Sequence, residues 1–194
     1  MGASGHDREE IHLIRWKEES ETVFIPVTTS DHMSIVESLA REIWTEHYTP
    51  IIGKLQVDYM LDRFQSRQAI ADQIKTGVLY FLIQADDAFI GYLAVQPKND
   101  ELFLSKIYVR SSLRRKGYGR NAVQFVELLA KERNLCKVVL TVNKNNVSSI
   151  RAYEKMGFQN AGSLIQDIGN GYVMDDYKME KRCEGVSTLR KETL

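Results

Sequence analysis

The feature of the sequence that most constrains the fold is a helix followed by a short apolar run, residues 138–142. In the helix, from about Tyr118 to Arg133, apolar residues recur at helical spacing. The apolar run after it is typical of a strand that is covered on both faces. A chain with such a strand must supply helices for both faces of its sheet.

The other periodic segments complete this arrangement. A strand is predicted over residues 23–27, and three helical stretches follow it before Gly77. The first of these helices is predicted to start at a cap on Ser30 or Asp31 and to stop at Pro50. Further strands are predicted over residues 78–85, 88–96, 102–109, 158–168 and 172–179, with a short helix from about Asn146 to Met156. This order predicts an α/β fold with a mixed, partly antiparallel sheet and helices on both faces.

Charge and composition exclude several classes of function. Lys+Arg and Asp+Glu both number 26 among 194 residues, so no general attraction to nucleic acid or anionic lipid is expected. No apolar stretch approaches the ~20 residues of a membrane span. Cys136 and Cys183 form no CxxC pair, so neither a zinc knuckle nor a disulfide framework is predicted. The polar start of the chain lacks an apolar signal core, which favours a cytoplasmic protein.

One domain is predicted for the middle of the chain. Residues 1–20 are mostly polar, and residues 184–194 are charged and lack any period. No repeat and no Pro/Gly/Ser-rich linker interrupts residues 21–183. We therefore expect an N-terminal arm, one domain over residues 21–183, and a C-terminal tail.

A basic, glycine-containing loop joins the strand over residues 102–109 to the helix that starts near Tyr118. Gly117 and Gly119 leave room for a ligand close to the backbone, and glycine tolerates the positive φ that such loops use. The N–H groups at a helix start are unpaired and lie at the positive end of its dipole. Four basic residues surround this point: Arg114, Arg115, Lys116 and Arg120. The loop is therefore either a phosphate-binding site or a solvated basic loop at a helix start.

Residues 117–122 also satisfy the dinucleotide-binding fingerprint G-x-G-x-x-A. That fingerprint needs its first glycine at the end of a strand, but residues 110–116 lie between the strand and Gly117. The next strand ends at Val142-Asn143, with no acidic residue ~20 positions on to bind a ribose. The sequence therefore argues against a dinucleotide-binding fold.

A second motif surrounds the short helix near residue 150. Asn146 suits the N-cap of this helix, Gly157 suits the left-handed position after its end, and Phe158 suits the apolar residue that packs back onto the last turn. That last turn includes Tyr153, which therefore lies on a helix with both ends fixed. Tyr153 is either a core tyrosine with its hydroxyl at the rim or a residue of a functional site.

Together the two motifs resemble the GNAT family of N-acetyltransferases. The acetyl-CoA loop of that family has the form Q/R-x-x-G-x-G/A, which residues 114–119 match. Its second signature is an Asn followed seven residues later by the Tyr of YEKxGF, which matches Asn146 and Tyr153. The resemblance covers residues 24–181 and is strongest over residues 102–158.

The resemblance implies a GNAT fold with a central, mostly antiparallel mixed sheet of about seven strands. It also implies acetyl-CoA as co-substrate, bound without a metal between the strands over residues 102–109 and 138–142. The implied pantetheine site is the backbone of Ile107, Tyr108 and Val109. The implied pyrophosphate site is the run of N–H groups from Arg115 through Lys116, Gly117, Tyr118 and Gly119 to Arg120, with Arg114 beside it. Asn146 would contact the cofactor or its strand, and Tyr153 would lie beside the sulfur.

The implied reaction is direct attack of an amine on a thioester. A tyrosine with a pKa of ~10 is protonated at pH 7 and can donate to a leaving thiolate, so Tyr153 is the predicted general acid. The base is left open between a water chain and four carboxylates: Glu42, Glu46, Asp175 and Asp176. Asp175 and Asp176 are predicted to point to opposite faces of a strand, so at most one of them serves. His47 lies on the apolar stripe of the first helix and is predicted to be a rim histidine.

The predicted function is an acetyl-CoA-dependent N-acetyltransferase that acts on a primary amine. The amine is either a small one, such as a polyamine, or an amine of a peptide or protein. One alternative is a non-catalytic acyl-CoA-binding regulatory protein on the same fold, against which the retention of Tyr153 argues. Another is an RNA-binding module, which the absence of an aromatic platform disfavours. A homodimer is the common default for oligomeric state.

Overall fold

The structure, a computed structural model, describes residues 15–16 and 22–183 of the chain. Its strands are β1 (Arg15–Trp16), β2 (Thr22–Pro26), β3 (Leu79–Ala85), β4 (Ala88–Lys98), β5 (Glu101–Val109), β6 (Lys137–Asn143), β7 (Gln159–Gly169) and β8 (Tyr172–Arg182). Its helices are α1 (Ser30–Ile52), α2 (Lys54–Phe64), α3 (Arg67–Lys75), α4 (Tyr118–Glu132) and α5 (Val147–Lys155), with a 3-10 turn at Ser111–Leu113.

The strands form one mixed sheet in the order β1-β2-β3-β4-β5-β6-β8-β7. Within this described sheet β5 and β6 are parallel, and the other neighbouring strands are antiparallel. The predicted fold class and all seven predicted strands are confirmed, and β1 adds a two-residue edge strand. Apart from β1, the predicted arm (residues 1–20) and tail (residues 184–194) lie outside the described residues.

The first helix starts one residue earlier than predicted. Its N-cap is Thr29 rather than Ser30 or Asp31. The Thr29 backbone is extended, and its hydroxyl accepts a hydrogen bond of 3.2 Å from the backbone N–H of His32. A threonine in this geometry satisfies one of the unpaired donors of the first turn.

Pro50 does not stop α1, contrary to the prediction. It lies in the last turn, where its missing N–H removes a single helical hydrogen bond and no further turns depend on it. The helix ends at Gly53, whose φ of 82° leaves the helical region while its N–H still reaches the carbonyl oxygen of Thr49 at 3.0 Å.

Two hydrophobic cores pack on opposite faces of the sheet. Alternate residues of β3 divide between them: Phe81 and Ile83 belong to the core beside α4, and Tyr80 and Leu82 to the core beneath α1–α3. The residues of α4 that are predicted to face inward are all buried: Ala122, Val126, Leu129 and Ala130.

The sheet opens between β5 and β6. The two strands pair only from Glu101 opposite Lys137 to Leu104 opposite Leu140. Beyond Leu104 and Leu140 each strand continues without the other. The free backbone edge of β5 therefore faces a gap in the sheet.

A β-bulge at Ser105 changes which side chains of β5 face which core. Before the bulge, Leu104 lies in the core beside α4. After it, Ile107 packs on that same core, and Tyr108 packs on the core beneath α1–α3. The bulge therefore places Lys106 on the α1–α3 side of the sheet, together with Tyr108.

Candidate active site

A cavity of about 790 Å³ lies where β5 and β6 separate. Residues of β5, β6, β7 and β8 line it on the sheet side. Residues of all five described helices and of the loop before α4 line the rest. Most of the predicted site residues line this cavity: Ile107, Tyr108, Val109, Arg114, Arg115, Gly119, Asn146 and Tyr153. The glycine loop and the short helix, which are far apart in the sequence, thus face one space.

Four predicted site residues do not line the cavity: Lys116, Gly117, Tyr118 and Arg120. The side chain of Tyr118 is buried in the core beside α4, so only its backbone can face a ligand. Gly117 is the N-cap residue of α4. Lys116 and Arg120 are exposed at the loop.

The loop before α4 has the backbone geometry of an anion-binding concavity. Arg115 (φ 65°) and Gly117 (φ 89°) both adopt left-handed conformations just before the helix begins. Turns of this kind direct successive N–H groups toward one side, and the helix start adds its own free N–H groups. A Cβ atom at Gly119 would meet no atom within 4 Å, so the space beside the loop is open. The loop therefore fits a pyrophosphate.

Contacts from α1 hold the residues that lead into this loop. Arg110 forms an ion pair of 2.9 Å with Glu42, and the Ser111 hydroxyl donates a hydrogen bond of 2.6 Å to Glu46. Neither of these glutamates lines the cavity. Two of the four candidate bases thus hold the residues before the loop against α1 and do not line the cavity.

Arg114 connects the loop to the cavity. Its Nε donates to the carbonyl oxygen of Val109 at 3.2 Å, and its guanidinium lies 3.0 Å from Nδ1 of His47. Burial, followed by the Arg114 charge, lowers the pKa of His47, so its imidazole is largely neutral at pH 7. His47 also lines the cavity.

Helix α5 presents Tyr153 to the cavity between two capped ends. The Asn146 side chain accepts a hydrogen bond of 3.4 Å from the N–H of Ser149. At the other end Gly157 has a φ of 91°, the N–H of Phe158 donates to the carbonyl oxygen of Tyr153 at 3.0 Å, and the two rings lie 5.6 Å apart. Both predicted caps are confirmed. Burial raises the pKa of Tyr153, so its phenol is a proton donor at neutral pH.

Among the described residues, Asp176 of β8 is the one carboxylate that lines the cavity. It is 8% exposed, and its Oδ1 has no hydrogen-bond partner in that part of the chain. Burial raises the pKa of Asp176, and a hydrogen bond from Thr141 opposes the shift. Asp175 lies outside the cavity, where it forms an ion pair of 2.5 Å with Lys144. The two aspartates thus point to opposite faces, as predicted.

Lys106 is a cavity residue that the sequence motifs do not indicate. Its Nζ donates a hydrogen bond of 2.8 Å to Oε1 of Gln73 and lies 5.2 Å from the centroid of the Tyr80 ring. Burial lowers the pKa of Lys106 to about 8. In the sequence, Lys106 is the one charged residue within the otherwise mostly apolar strand over residues 102–109, and this position could have indicated a functional role.

The described residues contain neither a cluster of metal ligands nor a membrane-spanning helix. Among residues 15–16 and 22–183, no group of three His, Cys, Asp or Glu side chains is placed to hold a metal ion. None of the described helices is long and apolar enough to cross a membrane. Cys136 and Cys183 are free thiols.

Three solved structures with the same fold are acetyltransferases. The PaiA N-acetyltransferase from Thermoplasma acidophilum, in complex with coenzyme A, is 19% identical, with a TM-score of 0.67 over 80% of this chain and 95% of that chain. The ribosomal-protein-S18-alanine N-acetyltransferase from Escherichia coli is 18% identical, with a TM-score of 0.65 over 87% of this chain and 97% of that chain. A spermidine N-acetyltransferase chimera from Vibrio cholerae and hSSAT is 19% identical, with a TM-score of 0.57 over 82% and 93%.

The family itself is shown by the sequence. A sequence model of the acetyltransferase (GNAT) family matches residues 37–158, which is more than half of the chain. The matched region contains the glycine loop, both strands that separate around the cavity, and helix α5. The chain therefore belongs to the acetyltransferase (GNAT) family.

Proposed function

We propose that this chain transfers the acetyl group of acetyl-CoA directly to a primary amine, with Asp176 as the base and Tyr153 as the acid. One observation carries the proposal: a phenol and a buried carboxylate with a free oxygen line the same cavity. The acceptor is a small amine or an amine of a peptide or protein. Acetyl-CoA supplies the thioester carbon that the amine attacks.

We assign the binding of acetyl-CoA chiefly to backbone groups. Ile107, Tyr108 and Val109 follow the point where β5 leaves β6, so their backbone is not paired with β6 and we assign it to the amides of the pantetheine arm. The Val109 carbonyl oxygen already accepts a hydrogen bond from Arg114. The N–H groups over residues 115–120 bind the pyrophosphate. Asn146 lies at the start of α5, within the same cavity, beside the thioester end.

Asp176 prepares the amine for attack. An alkyl ammonium with a pKa of ~10.4 costs roughly 4.6 kcal/mol to deprotonate at pH 7 without assistance. Because burial raises the pKa of Asp176, its carboxylate accepts a proton more readily than an exposed aspartate does. Its unpartnered Oδ1 is available to hold the amine and take that proton.

Tyr153 completes the transfer. As the amine nitrogen bonds to the thioester carbon, the C–S bond breaks and the electron pair stays on sulfur. Tyr153 donates its phenolic proton to this sulfur, so that coenzyme A leaves as a thiol. The attacking nitrogen loses its second proton to solvent as the amide forms. Solvent then returns a proton to Tyr153 and removes the one held by Asp176.

Asp176→Asn tests the assignment of the base. We expect kcat/KM for the amine to fall by about 10²–10³-fold, because the amide cannot accept the proton. In the variant only the free amine can react, so kcat/KM should rise about tenfold per pH unit up to the pKa of the amine, whereas the wild-type value should level off once Asp176 is ionised. Asp175→Asn is the matched control, since Asp175 faces away from the cavity, and it should change kcat/KM by less than about 3-fold. The release of free coenzyme A by a panel of amines is the measurement.

Equal losses for the two variants would remove Asp176 from the reaction and leave a water chain as the base. Tight binding of acetyl-CoA without release of coenzyme A for any amine would instead favour the alternative function, a non-catalytic acyl-CoA-binding regulatory protein.

Two arginines of the loop are expected to behave differently. Arg120→Ala should weaken acetyl-CoA by about 5–10-fold and leave acetyl-pantetheine unchanged, because only the first ligand carries the phosphates. Arg114→Ala should weaken both ligands, because Arg114 also holds the Val109 carbonyl and His47. Isothermal titration with the two ligands measures this difference. Equal effects of Arg120→Ala on both ligands would place its side chain away from the phosphates.

The proposal extends to the setting of the enzyme. We propose that residues 21–183 form one catalytic domain, that the protein is cytoplasmic, and that it forms a homodimer, the common default assembly. Limited proteolysis, cell fractionation and light scattering test these three points.

A further inference from the structure

Lys106 places an ammonium group at the acceptor end of the cavity. The bulge at Ser105 turns this side chain away from the α4 core and toward α3, where it meets Gln73 and Tyr80. No carboxylate of residues 22–183 forms an ion pair with it. Burial lowers the pKa of Lys106 only to about 8, so the group still carries its charge at pH 7.

The neighbours of Lys106 fix its position. The Gln73 side chain donates from Nε2 to the carbonyl oxygen of Phe64 at 2.9 Å, so its Oε1 must face the other way. That Oε1 accepts from the Tyr80 hydroxyl at 2.9 Å and from Lys106 at 2.8 Å. Lys106 has three N–H donors, of which Gln73 takes one. The remaining donors are available to a ligand.

A second donor lies in the same part of the lining. Gln65 is 3% exposed and lines the cavity. Its Oε1 accepts a hydrogen bond of 3.3 Å from the hydroxyl of Tyr92, which leaves Nε2 as the free end of the amide. In the described part of the chain this Nε2 has no hydrogen-bond partner. One ammonium and one amide N–H₂ group are a suitable pair of donors for a single carboxylate.

Helix α2 and the final hairpin form an apolar part of the cavity wall. The Tyr59 hydroxyl donates to the carbonyl oxygen of Ile168 at 2.7 Å, and Nε2 of Gln56 lies 3.7 Å from the sulfur of Met174. These contacts join the helix to the hairpin tip beside the cavity. Apolar side chains of both elements line the cavity at this point: Met60, Phe64, Ile168 and Met174.

We propose that the acceptor is a small amine that also carries a carboxylate, as amino acids do, with its carboxylate bound by Lys106 and Gln65. This inference rests on the proposed function. The amine then faces Asp176, and the two ends of the acceptor meet protein groups of opposite charge. A polyamine fits this cavity poorly, because its second ammonium would share the space with Lys106 while Asp176 is the single lining carboxylate among the described residues. A phosphate dianion also fits less well, because Lys106 would neutralise only one of its two negative charges.

Two acceptors of matched length test the proposal: 4-aminobutyrate, which has the carboxylate, and butylamine, which lacks it. We expect wild-type kcat/KM to be at least about 30-fold higher for 4-aminobutyrate, with 1,4-diaminobutane and 3-aminopropylphosphonate below it. Lys106→Met should reduce the value for 4-aminobutyrate by about 30-fold and that for butylamine by less than about 3-fold. Lys178→Met, a control outside the cavity, should leave both values unchanged.

Binding separates a failure of this inference from a failure of the proposed function. Isothermal titration of the protein loaded with coenzyme A should give tighter binding of 4-aminobutyrate than of butylamine, whether or not turnover occurs. Equal binding of the two, or a preference that survives Lys106→Met, overturns the carboxylate site even when amines are acetylated. Selective binding without acetylation supports the carboxylate site and overturns the enzyme. If Lys106→Met does not fold, Lys106→Gln, which can still bond Gln73, repeats the measurement.

Discussion

Gly119→Val is expected to abolish acetyl-CoA binding while the protein stays folded. Gly119 lies in the first turn of α4 and lines the cavity, and a Cβ atom there would meet no protein atom within 4 Å. Two γ-methyl groups would therefore occupy open space that we assign to the pyrophosphate. We expect affinity to fall by more than 100-fold, which is about 2.8 kcal/mol. Valine and glycine differ little in helix propensity, so the free energy of unfolding should change by less than about 1 kcal/mol.

Gly119→Ala provides a graded comparison. A single methyl group takes less of the same space, so this variant should lose an intermediate amount of affinity. Equilibrium dialysis with acetyl-CoA and thermal unfolding together separate loss of the site from loss of the fold. A folded Gly119→Val protein that binds acetyl-CoA normally would show that the pyrophosphate lies elsewhere.

Local signals in the sequence predicted most of the fold and the two motifs of the site. The caps of α5 depend on residues within one turn of each end, and the structure confirms both of them. The strands follow from apolar patterns that are equally local. Pro50 is one exception, because the effect of a proline depends on how many turns follow it, and here the helix is ending.

The face on which Lys106 lies could not be predicted from alternation. A regular strand over residues 102–109 would place Lys106 on the same side as Leu102 and Leu104. The bulge at Ser105 inserts one residue and reverses this assignment for the rest of the strand. A bulge depends on the register with β4, and no residue within β5 indicates its position.

The choice among four carboxylates also depended on contacts between distant parts of the chain. Glu42 and Glu46 look like a free acidic pair on a helix face, but they meet Arg110 and Ser111, which lie more than 60 residues away. Asp176 differs from Asp175 by facing a cavity that exists only because β5 and β6 separate. Side-chain types indicate four candidates, and tertiary contacts favour Asp176, the base that we propose.

Tyr153→Phe is expected to lower turnover by about 10²-fold with little change in stability. The substitution keeps the ring, which packs against Phe158 at 5.6 Å, and removes only the hydroxyl. In the described part of the chain that hydroxyl has no hydrogen-bond partner, so its loss should change the free energy of unfolding by less than about 1 kcal/mol. A general acid is usually worth about 10²–10⁴-fold. The lower end applies here because a thiolate with a pKa of ~8.5 is a good leaving group even without a proton.

The distribution of this loss between kinetic constants identifies its cause. The Tyr153 hydroxyl acts as charge develops on sulfur, so kcat should fall while KM for acetyl-CoA moves by less than about 3-fold. Tyr177→Phe removes a hydroxyl outside the cavity and should leave both constants unchanged. Steady-state kinetics with an accepted amine measure both variants. Full turnover in Tyr153→Phe would return Tyr153 to the role of a core residue whose ring closes the end of α5, and sulfur would then leave unprotonated or take its proton from solvent.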